Sequence, residues 1–464
     1  MPPAPMRPAP RLSLALLVGA GAVVVPAAVA AQEFEGGTRI IIGLEQRVDA
    51  GGNLGLTVPD EGSSLLSATR LSFGLTSRSR TQTLDLLLSS ALRIEDRPGG
   101  DGTTTDLSQP ALTFAYTREV PSALLAVTAN YREEDVDTFD IAGIIDDGGV
   151  IVLPDTVQGG GTRSISGATV RLEVGRTSPL GFAMFADYAA TDYQDTTDPD
   201  LNDIKRIGVG IEARLRFSDV LTGTAALGFS REDEDNLTQT VTERSTASFG
   251  LAYAISDQLD FSASLGLTEI RTVESGVVDR TSGPVARFGL AYGLRNGTAT
   301  ADLTVATDAD EGQRVTVEVG RAMDLPTGSL SARIGLTAAE GGSTEVIGGL
   351  AWSQDLRDGQ ITVRLERAVS FDDDESTVST AFVAGWDRRI TALSSVGLDF
   401  SYAVSDAPSE TITQTGFGAT YSYALTDDWS LDTGLRYRVR DDADGHAESP
   451  SVFLAIGRSF EFRP

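Results

Sequence analysis

Apolar and small polar residues alternate along most of the chain, most clearly in its C-terminal half. In residues 257–267, leucine, phenylalanine or alanine occupies every second position from Leu259 to Leu267, and mainly aspartate, serine or glycine lies between them. The same period of two recurs in residues 396–404 and 416–425. Successive side chains of a β-strand point to opposite faces, so this period predicts strands with one apolar face and one polar face.

Turn signals divide the alternating segments into hairpins. Short polar pairs such as Asn296-Gly297 join one strand to the next. Longer acidic, glycine-rich connections, such as residues 97–106, 192–203 and 441–448, lie between these turns. Short connections at one end and long ones at the other are typical of outer-membrane barrels, which have tight periplasmic turns and larger extracellular loops.

The pattern predicts an all-β fold: a single transmembrane antiparallel β-barrel of about 22 strands, with roughly 18 to 22 compatible with the sequence. The strand pattern begins at Arg39 and continues to Phe462, so no plug domain is expected. A soluble β-propeller or solenoid is the alternative, but propeller sheets are packed on both faces, whereas one face here is continuously apolar. Aromatic residues also cluster near the predicted strand ends, as interfacial girdles do: Tyr116, Tyr131, Tyr188, Trp352, Trp386, Tyr421, Tyr423 and Trp429.

The N-terminus has the features of a secretory signal peptide. Arg7 and Arg11 precede an apolar run, and small residues follow it up to Ala30. The run is shorter than the roughly 18 apolar residues of a membrane-spanning helix, which disfavours an uncleaved anchor. We therefore interpret residues 1–30 as a signal peptide and residues 31–464 as an outer-membrane β-barrel.

The composition is acidic and contains no cysteine. The chain has 66 acidic and 37 basic residues, a formal net charge of -29, 41% hydrophobic residues and 22% charged residues. This charge argues against nucleic acid as a partner, and the lack of cysteine excludes disulfides and thiolate metal sites. No cofactor or metal site is expected. The modest hydrophobic content still suits a membrane barrel, because only alternate strand residues face lipid.

Mixed charges occupy the polar positions of several predicted strands. Two compatible interpretations are arginine–carboxylate ladders that brace a wide barrel and a charged pore lining that filters solutes. The pore-lining candidates are Arg171, Glu173, Glu212, Arg214, Arg216, Arg364, Glu366, Arg436, Arg438 and Arg440.

The final predicted strand, Val452 to Phe462, alternates apolar residues and ends on Phe460 and Phe462. This ending resembles the C-terminal aromatic signature that the barrel-assembly machinery recognises in outer-membrane proteins. With the leader and the repeated hairpins, it makes the chain resemble the porin-like families of Gram-negative outer-membrane β-barrel proteins. The resemblance implies an outer-membrane location, with outer-membrane lipid, lipopolysaccharide, the assembly machinery and small solutes as partners.

Three functions are compatible with such a barrel. A porin-like passive diffusion channel for small solutes is favoured, because a barrel of this size encloses an aqueous lumen unless something fills it. An outer-membrane component of polysaccharide export or surface-glycan anchoring is the alternative. A barrel enzyme would have to depend on His446, the single histidine, and no local motif ties a nucleophile to it, so no catalytic residue is assigned.

The longest gap between predicted strands runs from Val136 to Arg163 and carries two apolar stretches. Loops this long without a role of their own are uncommon, and apolar segments are poorly suited to bulk water. The sequence leaves two interpretations open: a loop that folds back and narrows the lumen, or a hairpin that extends two barrel strands above the membrane.

Cleavage of the predicted signal peptide can be tested directly. We expect the mature protein to begin at Ala31 or Gln32 and to fractionate with the outer membrane, because the leader ends in a cleavage pattern. Intact-mass measurement and membrane fractionation check this. Retention of residues 1–30, or recovery as a soluble periplasmic protein, would contradict it.

Overall fold

The alternating segments form 22 β-strands in one antiparallel sheet. The computed structural model describes residues 36–60, 62–96, 104–135, 161–196, 201–309, 312–340, 342–372, 375–408, 410–443 and 445–464. Among these residues, no helix is long and apolar enough to cross a membrane. The strands are β1 (Gly37–Gly52), β2 (Ser63–Arg78), β3 (Gln82–Asp96), β4 (Thr104–Val120), β5 (Ala123–Asp135), β6 (Thr162–Val174), β7 (Leu180–Gln194), β8 (Ile204–Arg216), β9 (Leu221–Glu234), β10 (Thr240–Ser256), β11 (Leu259–Glu274), β12 (Val277–Leu294), β13 (Gly297–Thr307), β14 (Gln313–Leu325), β15 (Gly328–Ala339), β16 (Thr344–Leu356), β17 (Gly359–Asp372), β18 (Glu375–Arg389), β19 (Ser394–Asp406), β20 (Thr411–Ala424), β21 (Trp429–Asp442) and β22 (Gly445–Phe462).

Each strand pairs with the next in sequence, and the last strand pairs with the first. The closing register of β1 and β22 runs from Ile40 opposite Phe462 to Gly51 opposite Ser451. The sheet is therefore a closed barrel without free edges, and the predicted all-β antiparallel barrel of 22 strands is confirmed. Closure satisfies backbone N–H and C=O groups that lipid could not.

The two rims of the barrel differ. At one rim, which we call the turn side, the connections between strands are two to five residues long, as at residues 257–258 and 425–428. The first strand begins and the last strand ends at this rim. At the opposite rim, the loop side, connections are as short as residues 275–276 or as long as residues 136–161. By analogy with outer-membrane barrels, the turn side is periplasmic.

The acidic connection predicted at residues 441–448 is longer than the connection in the structure. Strand β21 continues to Asp442 and β22 begins at Gly445, so most of this segment is a hairpin at the loop side. The long connection predicted from Val136 to Arg163 lies at residues 136–160 outside the described residues, and β6 begins at Thr162. Whether that connection enters the lumen stays a prediction, as does the signal peptide, because the described residues begin at position 36.

The two faces of the wall have opposite chemistry, as β11 illustrates. Leu265 and Leu267 are 58% and 69% exposed on the outward face, where Leu265 pairs with Phe249. Small residues such as Ser264 and Gly266 occupy the inner face between them. Exposed apolar side chains around the whole barrel form the band that contacts lipid hydrocarbon.

Aromatic side chains mark the turn-side edge of this band. They lie near the ends of even-numbered strands and share the outward face with the apolar residues, as an interfacial girdle requires. These residues are Tyr116, Tyr253, Tyr292, Trp352, Trp386 and Tyr421.

A charge in the apolar band should be costly. We expect Leu265→Arg to lower the free energy of unfolding from bilayers by about 2–4 kcal/mol, the cost of a lipid-facing arginine near the midplane. Leu237→Arg is the matched control, because Leu237 is 95% exposed in the connection between β9 and β10, beyond the strands. Denaturant titration of the protein in vesicles measures both, and equal effects would place Leu265 outside the hydrocarbon.

Candidate functional site

The ten predicted pore-lining residues all lie on the inner face, opposite the exposed apolar side chains. They belong to four strands that do not neighbour one another: β6, β8, β17 and β21. The structure therefore does not gather them into one site. Whether they line a transport path stays a prediction, but their contacts separate bracing residues from residues with free donors.

Several of these charges brace the wall. In β6, Arg171 Nε donates to Glu173 Oε1 at 2.8 Å, and Arg176 Nε lies 3.3 Å from Glu173 Oε2. In β8, Arg216 donates to the backbone oxygen of Arg176 at 3.3 Å, while Glu212 and Arg214 lie across from the small residues of β9. These contacts hold the end of β6 to the turn that follows it, and the ion pairs are charge-assisted hydrogen bonds.

A second brace spans four strands. Arg333 of β15 donates to Glu318 of β14 at 2.8 Å and also contacts the buried Glu366 of β17. The intervening strand carries Gly349, where a Cβ atom would lie 2.3 Å from Glu366 Oε2. The glycine thus leaves the space through which the ion pair passes over β16. Arg364, also on the inner face of β17, is likewise engaged in an interaction.

Two of the three arginines of β21, Arg436 and Arg438, take part in a different arrangement, beside the closing strands β22 and β1. Phe453 of β22 lies on the inner face and is only 6% exposed. The guanidinium carbon of Arg47 lies 4.0 Å from the centroid of its ring, and that of Arg436 lies 5.4 Å from it. Cation–π attraction of this kind stabilises a guanidinium group against an aromatic face.

The two arginines beside Phe453 differ in their remaining partners. Arg47 donates through Nε and Nη2 to the two carboxylate oxygens of Asp49, both at 2.8 Å. Arg436 is exposed and, within the described part of the chain, contacts no carboxylate. Arg436 therefore presents unused N–H donors to the lumen.

A glycine allows the phenylalanine ring to lie against the wall. Gly434 of β21 is the register partner of Phe453. A Cβ atom at Gly434 would lie 2.5 Å from Phe453 Cε1 and 2.5 Å from the backbone oxygen of Ala419. Any larger residue at this position would displace the ring that Arg47 and Arg436 contact.

The connection between β1 and β2 folds inward over the same strands. Asn53 is 3% exposed, and its side chain accepts from Thr57 N and Thr57 Oγ1 and donates to Thr57 O, at 2.9 to 3.0 Å. Its backbone N–H donates to Gly62 O at 2.7 Å. These bonds join Asn53 to Thr57 and to Gly62, so they hold the two ends of the connection together.

Arg438 holds this loop on the lumenal side. Its Nη2 donates to the backbone oxygen of Leu54 at 2.6 Å and lies 3.3 Å from the hydroxyl of the fully buried Ser449. A Cβ atom at Gly51 would lie 2.8 Å from Leu54 Cδ2, so the loop packs closely on the inner wall. We call this set the lumenal seam: Arg47, Asp49, Leu54, Arg436, Arg438 and Phe453.

Arg440, the last of the pore-lining candidates, and His446, the single histidine, make contacts outside the seam. Arg440 is 9% exposed, and its Nε lies 2.6 Å from Asp442 Oδ2. His446 lies at the loop-side hairpin, where its two ring nitrogens contact Asp441 Oδ1 at 2.7 Å and Glu448 Oε1 at 3.0 Å. Both partners are carboxylates, so the geometry pairs no hydroxyl nucleophile with this histidine.

Phe460 and Phe462, the candidate assembly signal, pair with Ile42 and Ile40 at the turn side. Recognition of these two residues by the assembly machinery stays a prediction.

Sequence reasoning missed the lumenal seam except for its arginines on β21. Phe453 occupies a position of the final strand at which the alternation places polar residues, between the outward residues Val452 and Leu454. An aromatic residue at such an inner position is a signal in the sequence, because it indicates a local cluster of side chains inside the barrel. The inward loop had no comparable signal, since its anchor Arg438 is 384 positions from Leu54.

The fold is similar to those of solved outer-membrane transporters and receptors. The FrpB iron transporter from Neisseria meningitidis (F5-1 variant) matches with a TM-score of 0.60 and 7% identity, over 92% of this chain and 83% of that one. The ferric-catecholate import receptor Fiu from E. coli K12 matches with a TM-score of 0.56 and 10% identity, over 92% and 82%. The copper transporter OprC matches with a TM-score of 0.53 and 12% identity, over 93% and 81%.

No family model matches the chain, and no curated protein matches it. The similarity to solved structures is therefore one of fold. With the exposed apolar band and the aromatic girdle, it shows that the chain has the fold of outer-membrane β-barrel proteins.

The expectation of a porin-like passive diffusion channel is wrong. The similar structures are iron and copper transporters and a ferric-catecholate receptor, not porins, and they give no support to polysaccharide export or surface-glycan anchoring. The physical reason is barrel size, because porins with an open aqueous channel have 16–18 strands, whereas 22-stranded outer-membrane transporters have a plugged lumen. None of these three structures is named as an enzyme.

The inward loop should depend on Asn53. We expect Asn53→Ala to increase protease cleavage within residues 54–60, because the substitution removes the side-chain bonds that close the loop. Asn236→Ala is the matched control, since Asn236 accepts from the backbone N–H of Thr240 at 3.1 Å in the β9–β10 connection. Limited proteolysis with mapping of the cut sites measures both. Unchanged cleavage at residues 54–60 in Asn53→Ala would show that other contacts hold the loop.

Proposed function

We propose that this chain is the barrel of an outer-membrane uptake receptor for a small anionic solute, and that it is not an enzyme. The observation that carries the proposal is Arg436, an exposed lumenal guanidinium group that has no carboxylate partner among the described residues, in a 22-strand barrel of the receptor type. A guanidinium group offers several N–H donors in a planar fork that suits carboxylate, phosphate and catecholate oxygens.

The neighbourhood of Arg436 favours recognition of an anion. Phe453 fixes the positions of Arg47 and Arg436 by stacking, which reduces the conformational freedom that they would lose on binding. Arg438, held by Leu54 O and Ser449, adds a second positive charge at the next inner position of β21. Because Asp49 compensates the charge of Arg47, the two arginines of β21 supply the positive local field of the seam, in a chain whose net charge is strongly negative.

The chemistry of the wall favours a metal chelate over a bare metal ion. The similar structures are described as an iron transporter, a ferric-catecholate import receptor and a copper transporter. Soft or borderline metal ions are bound by thiolate, thioether or imidazole groups, and this chain has no cysteine, one histidine and four methionines. We therefore infer that a metal would enter as an anionic complex that the arginines recognise through its oxygen atoms.

The lumen of such a receptor needs a barrier. The loop at residues 53–62 narrows it from the loop side, directly beside the arginines of β21. The expectation that the chain has no plug domain of its own stays a prediction. Under this proposal the loop and the seam arginines form the part of the mouth that a solute meets first on entering from the loop side.

Binding measurements with a panel of ferric chelates test the proposal. We expect the full-length mature protein in detergent to bind at least one anionic ferric complex of the catecholate or citrate type. Arg436→Gln should weaken that binding about ten-fold or more, because hydrogen bonds to charged groups contribute about 1.5–3 kcal/mol. Isothermal titration calorimetry measures the dissociation constants.

Arg171→Gln is the matched control. Arg171 also lies on the inner wall, but it is paired with Glu173 on β6, away from the seam. We expect this variant to bind the chelate like the wild-type protein. Equal loss in both variants would indicate a general charge effect, and no binding of any chelate would contradict the proposed uptake of a ferric complex.

A further inference from the structure

Four arginines lie on the outward face of the barrel at its turn side, where the wall meets the membrane surface. Their register partners show the face: Arg118 lies across from Leu125, Arg388 across from Val396, and Arg458 across from Leu44. Arg321 of β14 shares the face of its exposed neighbours Val317 and Val319. We call these residues the arginine belt: Arg118, Arg321, Arg388 and Arg458.

Arg458 is the member of the belt that contacts two aromatic rings. Its guanidinium carbon lies 4.4 Å from the ring centroid of Phe460 and 5.3 Å from the ring of Trp429, its register partner on β21. Its Nε atom is buried and has no hydrogen-bond partner. Two aromatic rings thus hold the group at the edge of the apolar band while its donors stay unused.

The other three arginines repeat this placement. Arg118 follows Tyr116 by two positions, and Arg388 follows Trp386 by two positions, so each lies beside the aromatic girdle on the same face. Arg321 donates to the side-chain oxygen of Asn296 at 2.7 Å and to the backbone oxygen of Ala322 at 2.9 Å. Each arginine therefore lies beside a girdle residue or at a turn, at interfacial depth.

No member of the belt forms an ion pair within the described part of the chain. Aspartates of the neighbouring turns, such as Asp358 and Asp428, make no ion pair with them there. Two outward arginines at the loop side are paired instead: Arg231 lies 2.7 Å from Asp233 Oδ1, and Arg271 lies 2.9 Å from Glu243 Oε2. These two paired arginines provide a comparison for the four unpaired arginines of the belt.

We propose that the arginine belt binds the phosphate groups of phospholipids in the membrane leaflet that faces the turn side. An outward arginine costs little near the interface, where its side chain can reach the headgroups, and much more at the midplane. A guanidinium group forms bidentate hydrogen bonds with phosphate oxygens. Because net anionic headgroups keep an uncompensated charge, the belt prefers phosphatidylglycerol to phosphatidylcholine.

The three tryptophans of the chain report this contact directly. Trp386 lies two positions from Arg388, Trp429 contacts Arg458, and Trp352 lies in the same girdle. The full-length mature protein is reconstituted in phosphatidylcholine vesicles that contain phosphatidylglycerol or phosphatidylcholine brominated near the headgroup end of the acyl chains. Tryptophan quenching then gives the relative association constant of the two lipids at the turn side.

We expect the wild-type protein to prefer phosphatidylglycerol by about two- to five-fold and the triple variant R118Q/R388Q/R458Q to show a ratio near one. The triple lysine variant at the same positions should keep most of the preference, because lysine retains the charge. R231Q/R271Q is the matched control at the loop side and should behave like the wild-type protein. Heat-modifiable gel mobility verifies that each variant is folded, and R388Q alone serves if the triple variant is not.

Two results would overturn the proposal. One is an unchanged lipid ratio in the folded glutamine variants, and the other is an equal loss in the loop-side control. Inorganic phosphate distinguishes lipid from free anion: at matched ionic strength, phosphate and chloride should lower the preference equally. A specific reversal by inorganic phosphate would assign the belt to a soluble anion instead.

Discussion

The structure depends on one constraint: every backbone N–H and C=O group within the hydrocarbon must find its partner inside the protein. An open sheet leaves two unpaired edges, and here the pairing of β1 with β22 removes them. Once the ring is closed, one face of every strand meets lipid and the other meets the lumen. The strict alternation of apolar and small polar residues follows from this division.

That constraint explains why so much of the fold could be predicted from the sequence. Alternation within one strand and turn chemistry between strands are local signals, and they indicated 22 strands and the closed antiparallel arrangement. Prediction was weaker at the loop side, where strands extend beyond the lipid. The segment 441–448 is polar and acidic, so it resembled a connection, yet it forms a hairpin in which Asp442 pairs with Gly445. Above the membrane, nothing requires an apolar face, and the pattern that identifies a strand disappears.

The function and the lumenal seam could not be predicted in the same way. Strand number controls barrel diameter, and the predicted range spanned both open porins and plugged transporters. The seam depends on contacts between the two ends of the chain, such as Arg47 with Phe453 and Arg438 with Leu54. A single sequence shows the residue types in such contacts but not their proximity. It also gave no means to separate the arginines that brace the wall from Arg436, whose donors are unused.

The anchor of the inward loop has a consequence for the order of events during folding. The loop at residues 53–62 belongs to the first hairpin, but the arginine that holds it belongs to the penultimate strand. Contacts of such large sequence separation form late, because a long stretch of chain must first be brought together. The mouth of the barrel therefore cannot acquire its final shape before the last hairpin has docked. An intermediate with an open seam therefore has an unfinished mouth, so closure of the wall and completion of the mouth coincide in time.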